Sequence, residues 1–256
     1  MTRVLLGLAA LALIAALAWA LQRQRLRTRA LQAQLDAAAA ELQHLQEACS
    51  RLAPAGVVQK LIADGADAAA ERKIVTALFS DLVGYTALSE RLEPAALARV
   101  LNGYFQRMSD AIHEHRGHVS TFVGDGILAY FGALQPNPWQ CDDAVRAALA
   151  MRAAIRDYNK ELADEGLPPL AVGIGINRGP GLAGLVGSRE RREYAFVGPT
   201  VNLAARVQSL TRTHQVDILV TEAVREHLDP KFVLTPMPAE SVKGITEPVV
   251  TYAVRE

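Results

Sequence analysis

A chain of 256 residues with half of them apolar can bury one large core or two small ones. Its 27 basic and 27 acidic residues cancel, which is not the balance of a nucleic-acid binder. Its two cysteines, Cys49 and Cys141, are far apart and in unlike contexts, which excludes a disulfide framework and suits a reducing compartment.

The charge is uneven along the chain. Arg3, Arg23, Arg25, Arg27 and Arg29 fall in the first thirty residues with no acid among them, so the remainder is net acidic. Val4–Leu21 is an uninterrupted apolar run. As a helix it would span roughly 27 Å, the thickness of one bilayer core. Residues 1–21 read as a membrane anchor, with a cleaved signal peptide as the rival, because Ala18-Trp19-Ala20 has the form of a cleavage site. The arginines directly after the run favour a single-pass anchor in the inner (plasma) membrane with everything downstream in the cytoplasm. Residues 22–53 read as a coiled coil. Leu21, Gln24, Thr28, Leu31, Leu35, Ala38, Leu42, Leu45, Cys49 and Leu52 alternate by three and four, the seam of a left-handed supercoil. Gln24, Thr28 and Ala38 weaken that seam, and a single alanine-rich helix is the alternative to a parallel dimer. Pro54 ends the helix. Residues 54–72 read as a short amphipathic connector through Val57, Val58, Leu61 and Ile62, closed by Gly65, and then a linker.

From residue 73 to 256 strands and helices alternate. The pattern predicts a strand at 74–80 and a helix from Pro94 to about 115, with its proline in the first turn. A hairpin of strands 118–124 and 126–132 follows around Gly124-Asp125-Gly126. Next come a helix at about 140–162, strands at 170–177 and 181–187, and an arm at 190–197. A helix at about 200–211, a strand at 216–220, a short helix at 222–228 and final strands near Val254 complete the chain. The first part has the order β-α-β-β-α-β, an α+β ferredoxin-like core. Gly173-Ile174-Gly175-Ile176-Asn177-Arg178-Gly179 is not a dinucleotide loop, because its glycines lie within a strand instead of opening a helix. His113, His115 and His118 read as a solvated helix end, and Asp142, Asp143, Glu161 and Glu165 as helix-surface or first-turn charges.

Two aspartates stand out. Asp81 ends the run Val75-Thr76-Ala77-Leu78-Phe79-Ser80, and Asp125 sits between two glycines after Val119-Ser120-Thr121-Phe122-Val123. A carboxylate at a buried strand end is costly without a partner. Two that meet repel unless a cation lies between them, and hard divalent ions favour such oxygen ligands, with nucleotide phosphates completing the shell. Further along, Asn202 and Arg206 are four apart, which puts both on one helix face.

In order and spacing these segments resemble the catalytic domain of class III nucleotide cyclases, the adenylate and guanylate cyclase family, from about Lys73 to Tyr252. The resemblance implies conversion of a nucleoside triphosphate to its 3′,5′-cyclic monophosphate and pyrophosphate. It also implies two Mg²⁺ or Mn²⁺ per site, held by Asp81, Asp125 and the Leu82 backbone carbonyl. Leu82, Val83, Gly84, Tyr85 and Thr86 match the family's phosphate-binding turn. Asn202 and Arg206 match its transition-state pair, which orients the ribose and meets the α-phosphate. Lys243, in Ser241-Val242-Lys243-Gly244, matches a lysine that holds the terminal phosphates. In this family the metal aspartates come from one subunit and the Asn, Arg, Lys and base-reading residues from the other, so a homodimer with two shared sites is expected.

At the base-reading positions this chain departs from the pattern. Thr121 stands where adenylate cyclases usually carry lysine, and Ala195 where they carry Asp, Thr or Ser. Guanylate cyclases prefer Glu and Cys there, which are also absent. ATP is the first expectation, with a guanine or pyrimidine nucleotide as alternatives. Arg192, Glu193 and Tyr194 are further candidates for readout. From another class, the rival is a catalytically silent nucleotide sensor or dimeric scaffold. Asp81, Asp125, Asn202 and Arg206 argue against it, because a silent domain needs none of the four.

Overall fold

The computed structural model describes residues 19, 22–25, 28–29, 31–43, 70–188, 192–245 and 247–255, with the side chains of residues 192–194 excepted. The chain divides into two units, Met1–Ala53 and Pro54–Glu256. In the first, residues 31–43 are helical, and the expected seam residues Leu31, Leu35 and Leu42 are exposed. The apolar run Val4–Leu21, apart from Trp19, lies outside the described residues, as do Leu45, Cys49, Leu52 and the connector's apolar residues. Among the described residues no helix is long and apolar enough to cross a membrane.

The second unit is built on an eight-stranded sheet. Its elements in chain order are β1 (Glu71–Leu82), α1 (Tyr85–Arg91), α2 (Pro94–Glu114), β2 (His118–Val123), β3 (Gly126–Phe131), α3 (Gln140–Asp164), β4 (Val172–Gly187), β5 (Arg192–Val197), α4 (Pro199–His214), β6 (Ile218–Thr221), α5 (Glu222–Arg225), β7 (Leu234–Pro236) and β8 (Thr251–Val254). The strand order is β2-β3-β1-β4-β6-β8-β7, with β5 attached to β4. The path β1-α2-β2-β3-α3-β4 runs through this sheet in the expected βαββαβ arrangement, and the α+β class holds.

The two faces of the sheet follow from strand periodicity. Leu78, Leu82, Ile127, Ala129, Phe131, Ile174 and Ile176 pack with α2 and α3 in the main core. The alternate residues Val75, Ala77, Leu128 and Tyr130 pack with Phe196 of β5 and Ala204 of α4 on the other side. Asp81 falls in the same alternate set as Val75 and Ala77, so its side chain is directed to the face that carries α4.

The two strands expected at 170–177 and 181–187 are one continuous strand, β4. Its residues 172–183 pair with β1 along the whole length of β1, from Glu71 opposite Ala183 to Leu82 opposite Val172, and the rest of β4 pairs with β5. Gly179-Pro180-Gly181 has the composition of a turn, yet its glycines serve close approach. A Cβ at Gly179 would lie 2.6 Å from Thr200 Oγ1, and one at Gly181 would lie 2.2 Å from the Phe196 ring. The same logic explains Gly173 and Gly175, whose alternate positions in β4 let α4 lie directly on the strand. At Gly175 a Cβ would stand 2.1 Å from the Gln208 backbone nitrogen and 2.5 Å from the Ala204 carbonyl oxygen.

Two polar expectations also change. Asp142 and Asp143 are in the first turn of α3 but are buried, not on its surface. Asp143 accepts both Arg116 Nε (2.9 Å) and Arg116 Nη2 (2.6 Å), plus Asn137 Nδ2 at 2.8 Å. Asp142 accepts the Asp229 backbone N–H at 3.1 Å. His118 is buried at the start of β2, and its burial, with His113 nearby, lowers its pKa to about 4, so it is a neutral core residue instead of part of a solvated helix end.

Because the atoms facing Gly175 are helix backbone, the neighbour cannot rotate away. Gly175→Ala is expected to destabilise the domain by about 1–3 kcal/mol, read as a lowered midpoint in chemical denaturation. An unchanged midpoint would show that α4 can lift from the sheet without loss.

Candidate active site

The site begins where β1 ends. The β1–β3 register, with Ser80 opposite Ile127, sets the tip of β1 beside the turn between β2 and β3. That turn needs glycine twice. Gly124 has φ +63°, a left-handed conformation that costs other residues free energy. At Gly126 a Cβ would crowd the Ser80 and Val123 carbonyl oxygens at 3.1 Å and Asp81 Oδ1 at 3.4 Å. The turn thus presses Asp125 against the strand end, where Asp125 Oδ2 accepts the Leu82 backbone N–H at 3.2 Å.

Asp81 and Asp125 come within hydrogen-bonding reach of each other. Burial is the largest influence on Asp81 and the Asp125 carboxyl the next, and together they push its pKa up to about 6. The Arg212 guanidinium works in the opposite direction. Arg212 Nη2 donates to Asp81 Oδ2 at 2.9 Å and to the Leu82 carbonyl at 3.2 Å. Beneath the pair, on the far side of β1, Tyr104 of α2 is fully buried. Burial holds its hydroxyl well above the ordinary phenol range, and both aspartates add to that effect.

These contacts test whether a divalent ion fits. Two carboxylates share a partly buried corner, a backbone carbonyl opens onto it, and a cationic side chain already bonds two of the oxygens. That is a hard, anionic oxygen set of the kind Mg²⁺ and Mn²⁺ select. Among the described residues no cluster of three or more His, Cys, Asp or Glu side chains could hold a metal. Among the described residues the corner offers two carboxylates and one backbone carbonyl to such an ion.

The turn after Asp81 is only partly available. The Leu82 N–H is taken by Asp125, and the Val83 N–H donates to the Ala171 carbonyl at 2.8 Å. Gly84, at φ +75°, precedes α1 without a side-chain cap, and a Cβ added there would meet no atom within 4 Å. The approachable backbone is therefore Gly84, Tyr85 and Thr86.

A second cluster lies on α4. Asn202 is exposed and Arg206 partly buried, with Arg206 Nη1 lacking any hydrogen-bond partner. The turn carrying Lys243 meets it: Gly244, at φ +77°, leaves room that a Cβ would narrow to 3.3 Å from both Arg206 terminal nitrogens. An unpartnered guanidinium nitrogen can accept an anion, and Lys243 is exposed in the turn that meets it. Arg206 and Arg212 share a helix but not a face. Six residues separate them by about 9 Å along the axis and about 120° around it, and Asn202 is about 15 Å along from Arg212. The aspartate corner and the Asn202–Arg206–Lys243 cluster of one chain are thus distinct sites.

Thr121 follows a register shift in the β2–β3 ladder, and its Oγ1 donates only to the Phe122 carbonyl, at 3.4 Å. Ala195 pairs with Gly184 on β5, and the side chains of Arg192, Glu193 and Tyr194 lie outside the described residues. Two residues escaped the sequence reading. Arg212 could have been suspected from its place on the Asn202–Arg206 helix, whereas nothing in the local pattern marks Tyr104 as lying under the aspartates.

A family model described as the adenylate and guanylate cyclase catalytic domain matches residues 68–256. The chain is 38% identical over 164 residues to an adenylate cyclase of Anabaena cylindrica, covering 62% of this chain and 32% of that protein. It is 30% identical over 203 residues to adenylate cyclase 1 of Rhizobium meliloti, covering 78% and 30%. The chain spans about a third of the length of these curated relatives. Among solved structures it resembles the guanylyl cyclase Cya2 (35% identity, TM-score 0.68, 73% of this chain and 93% of that one). It also resembles the adenylyl cyclase CyaB from P. aeruginosa (30% identity, TM-score 0.69, 73% and 96%).

Asp81 holds its proton up to about 6 in the folded chain, against an ordinary 3.8. Protonation therefore favours the folded state: this stabilisation is complete below about pH 4 and is lost as pH rises through about 6. In thermal melts without divalent ions, Asp81→Asn, which cannot ionise, is expected to gain on the parent chain across that window. A gap that stays constant with pH would mean that neither burial nor Asp125 raises the Asp81 pKa on folding.

Proposed function

Because this chain belongs to the adenylate and guanylate cyclase catalytic domain family, we propose that it converts a nucleoside triphosphate, ATP first, to the 3′,5′-cyclic monophosphate. In that reaction the ribose 3′-oxygen bonds the α-phosphorus and the bond to the leaving pyrophosphate breaks. One observation carries the reading: two carboxyls held against each other on one face, and an unpartnered guanidinium nitrogen on another.

Asp81, Asp125 and the Leu82 carbonyl would hold two Mg²⁺ or Mn²⁺ per site, and bound divalent ions supply activation of the 3′-oxygen and charge neutralisation on the triphosphate. Gly84, Tyr85 and Thr86 offer backbone N–H groups to phosphate oxygens. Arg206 meets the negative charge that grows on the α-phosphate, and its lack of a partner in the resting chain means nothing has to be broken first. Asn202 orients the ribose, and Lys243 holds the terminal phosphates. Since the two clusters of one chain are apart, each site combines the aspartates of one copy with Asn202, Arg206 and Lys243 of a second, in a twofold dimer with two sites. Exposed Phe122, Val123, Leu182, Val186 and Val197 on β2, β4 and β5 supply apolar area for such an interface.

ATP is favoured by relatives named adenylate cyclases, whereas Thr121 and Ala195 offer one hydroxyl and nothing for reading the base. Cya2 is named a guanylyl cyclase, so GTP is the chief competitor. Incubating the chain with ATP, GTP, CTP and UTP in Mn²⁺ and identifying the product decides among them. No product with any of the four would favour the silent sensor or scaffold. At the other end of the chain, the run Val4–Leu21 followed by arginines supports a single-pass anchor with the catalytic domain in the cytoplasm, and the seam of residues 22–53 supports a tether that raises the effective concentration of two catalytic domains for each other.

Asp81→Ala and Arg206→Ala are each expected to lower turnover by on the order of 100-fold or more. Mixed in equal amounts, they are expected to recover about a quarter of the parent activity, because half the dimers are mixed and each of those has one intact site. No recovery on mixing would exclude shared sites.

A further inference from the structure

Arg212 sits in the last turn of α4, where a basic residue ordinarily just complements the helix dipole. Its side chain is 53% exposed, yet its Nη2 is bonded at once to Asp81 Oδ2 and the Leu82 carbonyl. Those are the two oxygens that, together with Asp125, would ligate the divalent ions. A single nitrogen bridging both fills the wedge between them. We propose that Arg212 is a built-in counter-cation of the metal site, which a divalent ion must displace to bind.

The proposal rests on the reading of Asp81 and Leu82 as metal ligands, and the chemistry of the groups supports it. Two carboxylates this close are eased by a positive charge beside them, and Arg212, bonded to Asp81, provides one as long as no ion does. A guanidinium cannot lose its charge at any working pH, so it must move instead of titrating. It can move, because its side chain is long and more than half exposed and an exposed ion pair holds weakly. It cannot stay: Mg²⁺ takes its oxygens at about 2.0–2.1 Å, and a cationic nitrogen on the same two oxygens would be in contact with the ion and repelled by it. Metal binding is thus an exchange of cations.

The exchange also favours an ion that arrives with a nucleotide. A bare ion leaves the displaced guanidinium unpaired beside a like charge. A metal–triphosphate complex brings phosphate oxygens that accept it. Arg212 therefore weakens the affinity for free ions more than for the ion–substrate complex, and offsets one of the two negative charges of the aspartate corner between turnovers.

The test is Mn²⁺ alone, titrated into the full chain without nucleotide and followed by the loss of the free-ion electron paramagnetic resonance signal. Arg212→Gln is expected to bind Mn²⁺ about fivefold more tightly than the parent, the factor an exposed ion pair supports. Arg212→Lys, which keeps the charge, is expected to stay close to the parent, and Asp81→Asn to lose the binding. Melting curves of the ion-free variants check that each is folded. If Arg212→Gln binds Mn²⁺ no more tightly than the parent while Asp81→Asn still loses it, the metal site stands and the counter-cation idea falls. If Asp81→Asn binds Mn²⁺ as the parent does, the metal reading fails and the proposal fails with it.

Discussion

Asp81 and Asp125 repel, and the chain is shaped to keep them together. The β1–β3 register, the left-handed Gly124 and the crowded Gly126 leave the β2–β3 turn no other course than across the tip of β1. Burial then removes the water that would otherwise screen the pair, which is why desolvation leads the causes that raise the Asp81 pKa. An arrangement that disfavours its own ionisation is unfavourable for folding and favourable for binding a cation. The free energy that this repulsion costs the fold would return as affinity for a cation.

The second constraint is how closely α4 lies on β4. Gly173 and Gly175 remove side chains from every second position under the helix, so Gln208 and Thr211 rest on strand backbone. That contact fixes the helix in height and in rotation. Rotation decides which residues face where: Arg212 reaches down to the tip of β1, while Arg206 faces the turn of Lys243 and Gly244 and Asn202 is exposed. A small rotation of α4 would move both clusters together, so two apparently separate features depend on two glycines.

Much of this is legible in the amino-acid sequence, for identifiable reasons. The hairpin and its aspartate can be read because strand periodicity and glycine turns are local signals. The same is true of the proline-led α2 and of the Asn202–Arg206 pair, which needs only helical spacing. What is not legible depends on distant partners. Gly179-Pro180-Gly181 carries every local mark of a turn, but pairing with the whole of β1 and the bulk of Phe196 and Thr200 make it strand. Asp142 and Asp143 look like ordinary first-turn acids, and Arg116, Asn137 and the Asp229 N–H, brought in from other segments, add to the Arg146 guanidinium of the same helix to make their burial tolerable. His118 looks solvated because its neighbours His113 and His115 suggest a polar helix end, yet the strand it opens carries it inward.

Arg212 belongs with these long-range features, and it shows why a site is harder to read than a fold. A basic residue in the last turn of a helix is explained locally by the dipole, so only its place on the Asn202–Arg206 helix invites a further explanation. Its partner is 131 residues away in sequence and is brought near only by the packing of α4 on β4. Local sufficiency is therefore what conceals it. The same packing gives its charge a second consequence. Three formal charges meet at the corner, two negative and one positive, so the ion-free site keeps one net negative charge and still attracts a cation. Replacing a guanidinium by a divalent ion changes that balance to neutral or positive, the sign needed to hold a polyanionic substrate. The resting chain and the loaded chain are thus each near electrical balance, and the step between them is an exchange instead of an unscreened approach of like charges.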